Sequence, residues 1–407
     1  MTDNQLDKAL QAELAILQAD GRAKPPERII AAYHPPAGEF GPRYSLRGEK
    51  GRFLRMNSNS YLSLSHHPLL IARADNATHA CGVGPGAVRF IDGTYSYHVA
   101  LEERVARFVD KAAAKIFNSA YTANCGLALT LSNRTTYWIG DQLNHNSIIR
   151  AMRIAGVPGS NKSIYEHNDM ADLERCLDMV PPEATRVVVI FDGIFSMRGD
   201  YAPINEICAI TDRYCHKFPD GVVTVVDDSH GIGAYGATGR GTPEFCGRTP
   251  AIIIGTFGKA FGVNGGFIAG SETLAEAVRQ KADTYIYTNP LSVADCAAAT
   301  AALDVCDGAE GQKRLENLRQ RTQQFRAGLE RLGFESIPGP HPVVPMLIRN
   351  TLRTHDLVKR LFEAGILVVG LTFPVVPRGN ETIRFQINAA HTEADIAMVL
   401  EVLTQRR

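Results

Sequence analysis

Val222-Val223-Thr224-Val225-Val226 runs without a break into Asp227-Asp228-Ser229-His230, and this junction decides the fold. A continuous run of Val and Thr has no polar face. It reads as a strand covered on both sides, the pattern of a parallel sheet rather than of a half-exposed one. Two more runs share the character. Residues 186–191 lead into Asp192-Gly193-Ile194-Phe195-Ser196-Met197, and residues 251–254 lead into Gly255-Thr256-Phe257-Gly258-Lys259-Ala260-Phe261-Gly262. Upstream, Ile148, Ile149, Met152 and Ile154 give helical spacing over 144–156. A short strand follows at 162–167 and then a helix at 170–180, with Asn168 or Asp169 as its N-cap. Strands alternating with crossover helices predict an α/β fold with a mostly parallel, doubly wound sheet. Such sheets bind ligands outside the carboxyl ends of their strands. The polar clusters at 192–197, 227–230 and 256–259 sit at those ends.

The flanks are different in kind. Leu6, Leu10, Leu14 and Leu17 recur at helical spacing in a polar background, and Pro25-Pro26 ends that helix. Residues 33–51 are rich in Pro and Gly and read as an irregular arm without a core of its own, lying across the main body or a partner subunit. A long helix or kinked pair is expected over 295–332. Beyond Pro338 the order is strand 343–348, helix 355–364, strand 367–369, strand 382–387 and helix 393–403, a smaller α+β domain. The expected division is therefore 1–56 (helix and arm), 57–292 (large cofactor-binding domain) and 293–407 (small domain).

The chain has 407 residues, of which 45% are apolar and 21% charged, with 43 basic residues balanced by 43 acidic ones. That balance offers no field for nucleic acid or for an anionic membrane surface. No apolar run approaches the roughly 20 residues of a membrane span. Met1-Thr2-Asp3-Asn4-Gln5 lacks the basic and apolar regions of a signal peptide. Eight cysteines, scattered from Cys81 to Cys306 without a CxxC pair, suit a reducing compartment. A cytoplasmic protein with no bound metal is expected.

The strand ends carry the chemistry. Desolvation at the end of a buried strand favours the neutral amine of Lys259, a nucleophile able to condense with an aldehyde. Asp227 and His230 stand at the end of another strand. An imine-forming lysine with an anionic partner for a ring nitrogen is what pyridoxal 5'-phosphate (PLP) requires.

Several motifs occur together in one order: Asn59-Ser60-Tyr61-Leu62, Arg89-Phe90-Ile91-Asp92-Gly93-Thr94, Asn144-His145, Asp192 to Met197, Asp227-Asp228-Ser229-His230-Gly231, Thr256 to Lys259, and Arg384 ahead of Ala389-Ala390-His391-Thr392. With them the chain resembles the α-oxoamine synthases, fold-type I PLP-dependent transferases that condense an amino acid with an acyl-CoA. The resemblance covers most of the chain, from about residue 57 to 391. It implies that Lys259 tethers the cofactor and serves as the base at the substrate Cα, and that Asp227 pairs with the pyridine nitrogen. His230 and Ser196 would hold the ring's 3-hydroxyl oxygen, and His145 would stack on the ring. Ala120 and Tyr121 would give backbone amides to the phosphate at the strand-to-helix junction 119–124, helped by Thr256. Thr288 would reach the same phosphate from a second subunit, which makes a homodimer with shared active sites. Arg384 and Asn59 would hold the substrate carboxylate, with Ser196 lining the same pocket. Asp228 is expected to be structural.

The implied substrates are a small amino acid, glycine above others, and an acyl-CoA. The motifs lie nearest the glycine C-acetyltransferase (2-amino-3-oxobutyrate CoA ligase) branch. An 8-amino-7-oxononanoate synthase-like or other alanine- or serine-using member is the alternative, and an aldolase or aminotransferase of the same fold is a more distant one. The chain departs from the family pattern at Ser63, where glycine is usual, in the Gly-rich stretch 82–88, and at Asp92. These positions bear on the acyl side of the pocket.

Overall fold

The computed structural model describes residues 3–404. It divides into two compact units, residues 59–319 and residues 1–58 with 320–407. The boundary therefore lies inside the helix Ala309–Arg331 and not after residue 292. The reason is packing. The helix Val293–Asp307 lies against the helices Pro68–Cys81 and Ser96–Phe108, so it belongs to the larger unit. The N-terminal arm belongs with the C-terminal segment instead.

The larger unit is built on seven strands: β1 (Ala113–Phe117), β2 (Thr136–Asp141), β3 (Lys162–Tyr165), β4 (Arg186–Asp192), β5 (Val222–Asp227), β6 (Ile252–Thr256) and β7 (Gly266–Gly270). Their order across the sheet is β1-β7-β6-β5-β4-β2-β3. Only β7 runs against its neighbours, pairing antiparallel with β1 and with β6. The α/β, mostly parallel architecture expected of a fold-type I transferase is present. The three runs that announced it are β4, β5 and β6, whose central residues Val188, Val225 and Ile254 are buried in the main core. Parallel register sets Asp192 beside Asp227, and Asp227 beside Ile254, so the carboxyl ends of three strands stand level.

Behind the sheet lies the helix Ala120–Leu131, which contributes Ala123, Leu127, Ala128 and Leu131 to the core. Its first turn lies very close to the start of β7. A Cβ on Gly266 would stand 2.3 Å from the Ala120 nitrogen, so only glycine admits this approach.

The smaller unit holds the helix Asp3–Ala19 and a three-stranded antiparallel sheet, Val343–Leu347, Thr382–Gln386 and Val369–Leu371, with Thr382–Gln386 in the middle. A two-stranded parallel pair joins Leu54–Arg55 to Ile366–Leu367. The segment expected as one strand at 367–369 is thus divided, its halves serving two sheets. The arm is not irregular either. Ile30–His34 and Arg43–Leu46 form an antiparallel hairpin. Leu46 and Phe53 pack with Leu367 and Phe362, and Arg43 donates to the fully buried Asp395 at 2.6 Å. The long helical stretch resolves as Val293–Asp307 and Ala309–Arg331, parted at Gly308. Among the described residues, no helix is long and apolar enough to cross a membrane.

Candidate active site

Lys259 lies in the loop from β6 to β7, half-buried, where Gly262 N–H bonds back to its carbonyl. The loop is shaped by Thr256, whose hydroxyl donates to the Gly265 carbonyl at 2.9 Å and accepts from Gly258 N–H at 3.1 Å. The positive charge of Lys259 acts on His145, Asp192 and Asp228, so these groups share one electrostatic neighbourhood.

Asp227 ends β5 and is buried. Both of its oxygens accept hydrogen bonds, Oδ2 from Asn124 Nδ2 at 2.7 Å and Oδ1 from Ser229 N–H at 3.1 Å. Asp228 points elsewhere. It accepts from Thr242 N–H at 2.9 Å and from the Thr242 hydroxyl at 2.5 Å, and burial pushes its carboxyl up to about 7. It is also packed tightly, since a Cβ on Gly241 would stand 1.8 Å from its Oδ2. This is the structural part expected of the second acid.

His230 is buried, with Nδ1 2.7 Å from the Tyr61 hydroxyl. Tyr61 in turn lies 3.5 Å from Asn59 Oδ1, so Asn59 and His230 are linked through one phenol. His145 precedes the helix Asn146–Ile154 as its N-cap. Its Nδ1 accepts the backbone N–H of Ser147 at 3.2 Å and lies 2.7 Å from the Ser147 hydroxyl. A nitrogen that accepts a backbone N–H carries a lone pair, which puts the ring proton on Nε2. Burial and then the Lys259 charge lower its pKa against the pull of Asp227, so the ring is neutral. The residue is nonetheless exposed.

Asp192 ends β4, accepts His145 N–H at 2.8 Å, and is held well above the ordinary carboxylate range by burial and by the charge of Asp227. Asn144 fastens the same corner, donating to the Ile190 carbonyl at 2.9 Å and accepting from Asp192 N–H at 3.0 Å. Ser196 is half-buried in the tight turn that follows, closed by Phe195 N–H to the Asp200 carbonyl and Gly199 N–H to the Phe195 carbonyl.

Ser119 caps the helix Ala120–Leu131 by accepting Thr122 N–H at 3.1 Å, and Ala123 N–H bonds to the Ser119 carbonyl. Ala120 and Tyr121 supply the first two amides of that helix, which have no partner within it. Such amides and the helix dipole suit a phosphate. Thr288 sits in its own chain beside Asn118, whose Nδ2 lies 3.4 Å from the Thr288 hydroxyl. Arg384 belongs to the smaller unit, half-buried at the centre of Thr382–Gln386 and in register with Pro345 and Val369.

The larger unit thus brings together Lys259, Asp227, His145, His230, Asn59, Thr256 and the Ala120–Tyr121 turn. Sequence reasoning had no role for Asn124, Ser147, Asp192 or Tyr61, although all four lie within or beside quoted motifs. Their signal is polar residues at strand ends and in a first helical turn, and their partners are distant in sequence.

An amine at one strand end, a carboxylate with both oxygens fixed at the next, a flat exposed imidazole and a pair of helix-terminal amides form a set that fits PLP. Comparison with known proteins agrees with the set. The model of the family described as "Aminotransferase class I and II" matches residues 52–403. The human mitochondrial 2-amino-3-ketobutyrate coenzyme A ligase is 36% identical, over 98% of this chain and 92% of that one. The 8-amino-7-oxononanoate synthase of Geobacter metallireducens is 35% identical, over 98% and 97%. Among solved structures, a serine palmitoyltransferase from S. paucimobilis with a bound PLP-myriocin aldimine superposes with a TM-score of 0.85 at 26% identity, covering 97% of this chain and 96% of that one. The chain belongs to the aminotransferase class I and II family and, within it, to the α-oxoamine synthases.

Proposed function

We propose that this protein condenses a small amino acid, glycine above others, with an acyl-CoA, forming a carbon–carbon bond to the acyl carbonyl and releasing CoA. It is a PLP-dependent acyltransferase. The observation that carries the reading is the level alignment of Asp227 and the β6 end, with Lys259 and the neutral His145 in one electrostatic neighbourhood. Glycine is favoured by the likeness to the 2-amino-3-ketobutyrate coenzyme A ligase. The equal likeness to an 8-amino-7-oxononanoate synthase supports a second reading, with alanine or serine as the amino acid.

When bound, PLP supplies an electron-poor ring that takes up negative charge from the Cα of an attached amino acid. The residues of this chain do the rest. Lys259 Nζ would tether the cofactor and, once freed by the incoming substrate amine, would take the Cα proton. Asp227 would pair with the ring nitrogen, its two carboxylate oxygens already oriented by N–H donors. His145 would offer a flat ring face, and His230 and Ser196 would hold the 3-hydroxyl oxygen. The amides of Ala120 and Tyr121, with Thr256, would bind the phosphate. A second copy adding Thr288 would complete that cradle in a homodimer. Arg384 would bind the substrate carboxylate through two parallel hydrogen bonds.

A panel of glycine, L-alanine and L-serine against acyl-CoAs of graded length, read by free thiol, tests the proposal. Thiol release with glycine and a short acyl-CoA, lost in Lys259→Ala, is the expected result. No release with any pair would overturn it, and release only with L-alanine or L-serine would select the second reading.

A further inference from the structure

We infer that Asn124 is a positioning residue that ties the carboxylate of Asp227 to the ring of His145, so that cofactor nitrogen and cofactor face are set by one amide. The inference rests on the roles proposed above for those two residues.

Asn124 stands one helical turn after Ala120, in the helix whose start is assigned to the phosphate, and it is buried. Its Nδ2 lies 2.7 Å from Asp227 Oδ2, 3.1 Å from the Ser147 hydroxyl and 3.2 Å from the Ala120 carbonyl. Two of these three partners, the carboxylate and the carbonyl, can only accept. The amide therefore cannot be turned over, because Oδ1 would then face two acceptors. Its own Oδ1 is buried without a hydrogen-bond partner among the described residues. Buried oxygens of that kind are rare and call for a reason. The reason here is that the donor end is fully committed.

The direction of the remaining bonds follows. Ser147 accepts from Asn124 and has one hydroxyl proton to give. The nearest acceptor is His145 Nδ1 at 2.7 Å, which also takes Ser147 N–H. Nδ2 has two hydrogens for three acceptors: one serves the carboxylate, and the other is shared between the Ala120 carbonyl and the Ser147 hydroxyl, through which the amide presents the Nε2–H form of the imidazole. Asp227 and Asn124 are 103 residues apart, yet one side chain spans the ends of β5 and two helices.

Four holoenzyme variants test this: Asn124→Ala, the isosteric Asn124→Asp, Ser147→Ala, and Asp227→Asn as the reference. The readouts are PLP dissociation, the pH dependence of the bound cofactor's visible absorption, and thermal stability without PLP. Loss of one hydrogen bond to a charged group predicts at least about tenfold weaker PLP retention in both Asn124 variants. The absorption midpoint should also move by about half a pH unit or more. Asn124→Asp, which sets a second acid against Asp227, should keep its fold and recover PLP retention as pH falls. Ser147→Ala should alter the cofactor spectrum while keeping PLP retention within a factor of about three. A merely structural asparagine would lower stability in all forms and leave the absorption midpoint in place. Wild-type retention and midpoint in Asn124→Asp, with both disturbed in Asp227→Asn, would overturn the inference and spare the proposed function. A wild-type protein that takes up no PLP would remove both.

Discussion

His167 gives the sharpest test of how the site is braced. It follows β3, and its ring lies edge-on to Phe195 with centroids 4.4 Å apart, directly beside the turn that carries Ser196. Nδ1 lies 3.0 Å from Asp141 at the end of β2, and Nε2 lies 3.2 Å from Asp200 in the turn after β4. Burial opposes a charge on the ring, but the two carboxylates outweigh it and raise the pKa from 6.5 to about 9. Below pH 6.5 both folded and unfolded chains hold the proton, and the stabilisation is complete. Between 6.5 and about 9 only the folded chain holds it, so stability falls as pH rises. Above about 9 the contribution is gone. At roughly 1.4 kcal/mol per pH unit, the full effect is about 3 kcal/mol. The perturbation is His167→Gln, which keeps a donor but cannot take the charge. With PLP saturating in both proteins, urea midpoints from pH 6 to 10 should show the variant about 3 kcal/mol weaker at pH 6. The gap should close to about 1 kcal/mol or less by pH 10. A gap of constant size across that range would refute the reasoning, since it would mean that the imidazole contributes packing and not charge.

Three more outcomes are expected. Gly241→Ala must place a Cβ 1.8 Å from Asp228 Oδ2 at a φ of +92°, so it should lose several kcal/mol or fail to accumulate as soluble protein, read by expression and thermal shift. Asp192→Asn replaces an acid whose pKa burial and the Asp227 charge hold well above the ordinary carboxylate range, so it should keep stability within about 1 kcal/mol and retain PLP, checked by thermal shift and absorbance. Asn144→Ala strips partners from the Ile190 carbonyl and the Asp192 N–H, both buried, and should cost about 2–4 kcal/mol by urea denaturation.

The sheet was legible in sequence at three strands that are continuous apolar runs covered on both faces, but not at Thr136–Asp141, which is buried along its whole length and lacks a Val/Ile run. Arg186–Asp192, Val222–Asp227 and Ile252–Thr256 have no polar face to confuse with a helix. Gly266–Gly270 was not, because glycine at both ends reads as a turn, and its antiparallel pairing depends on Ala113–Phe117, about 150 residues earlier in the chain. Site residues fell along the same line. Lys259, Asp227 and His230 declare themselves at strand ends. Asn124 sits in a helix of small residues and reads as a weak helix former until the carboxylate it serves is seen. Tyr61 is 169 residues from the histidine it bonds. Even the departures at Ser63 and Asp92 acquire a backbone meaning, for both adopt positive φ, 55° and 57°, the region that favours glycine.

The pair Asp192 and Asp227 shows why contact partners and not residue type assign the chemistry. Parallel register makes them neighbours on adjacent strands, and two buried carboxylates side by side cannot both be charged without cost. The fold resolves this by unequal supply of donors. Asp227 receives an amide N–H on one oxygen and a backbone N–H on the other. Asp192 accepts the N–H of His145 on Oδ2, and burial and its neighbour's charge hold its carboxyl well above the ordinary carboxylate range. Asp227 is the member placed one strand from Lys259, and Asp192 is the member that holds the helix carrying His145. Exchanging their surroundings would exchange their roles, and so the asparagine that supplies Asp227 is as much a part of the site as the acid it orients.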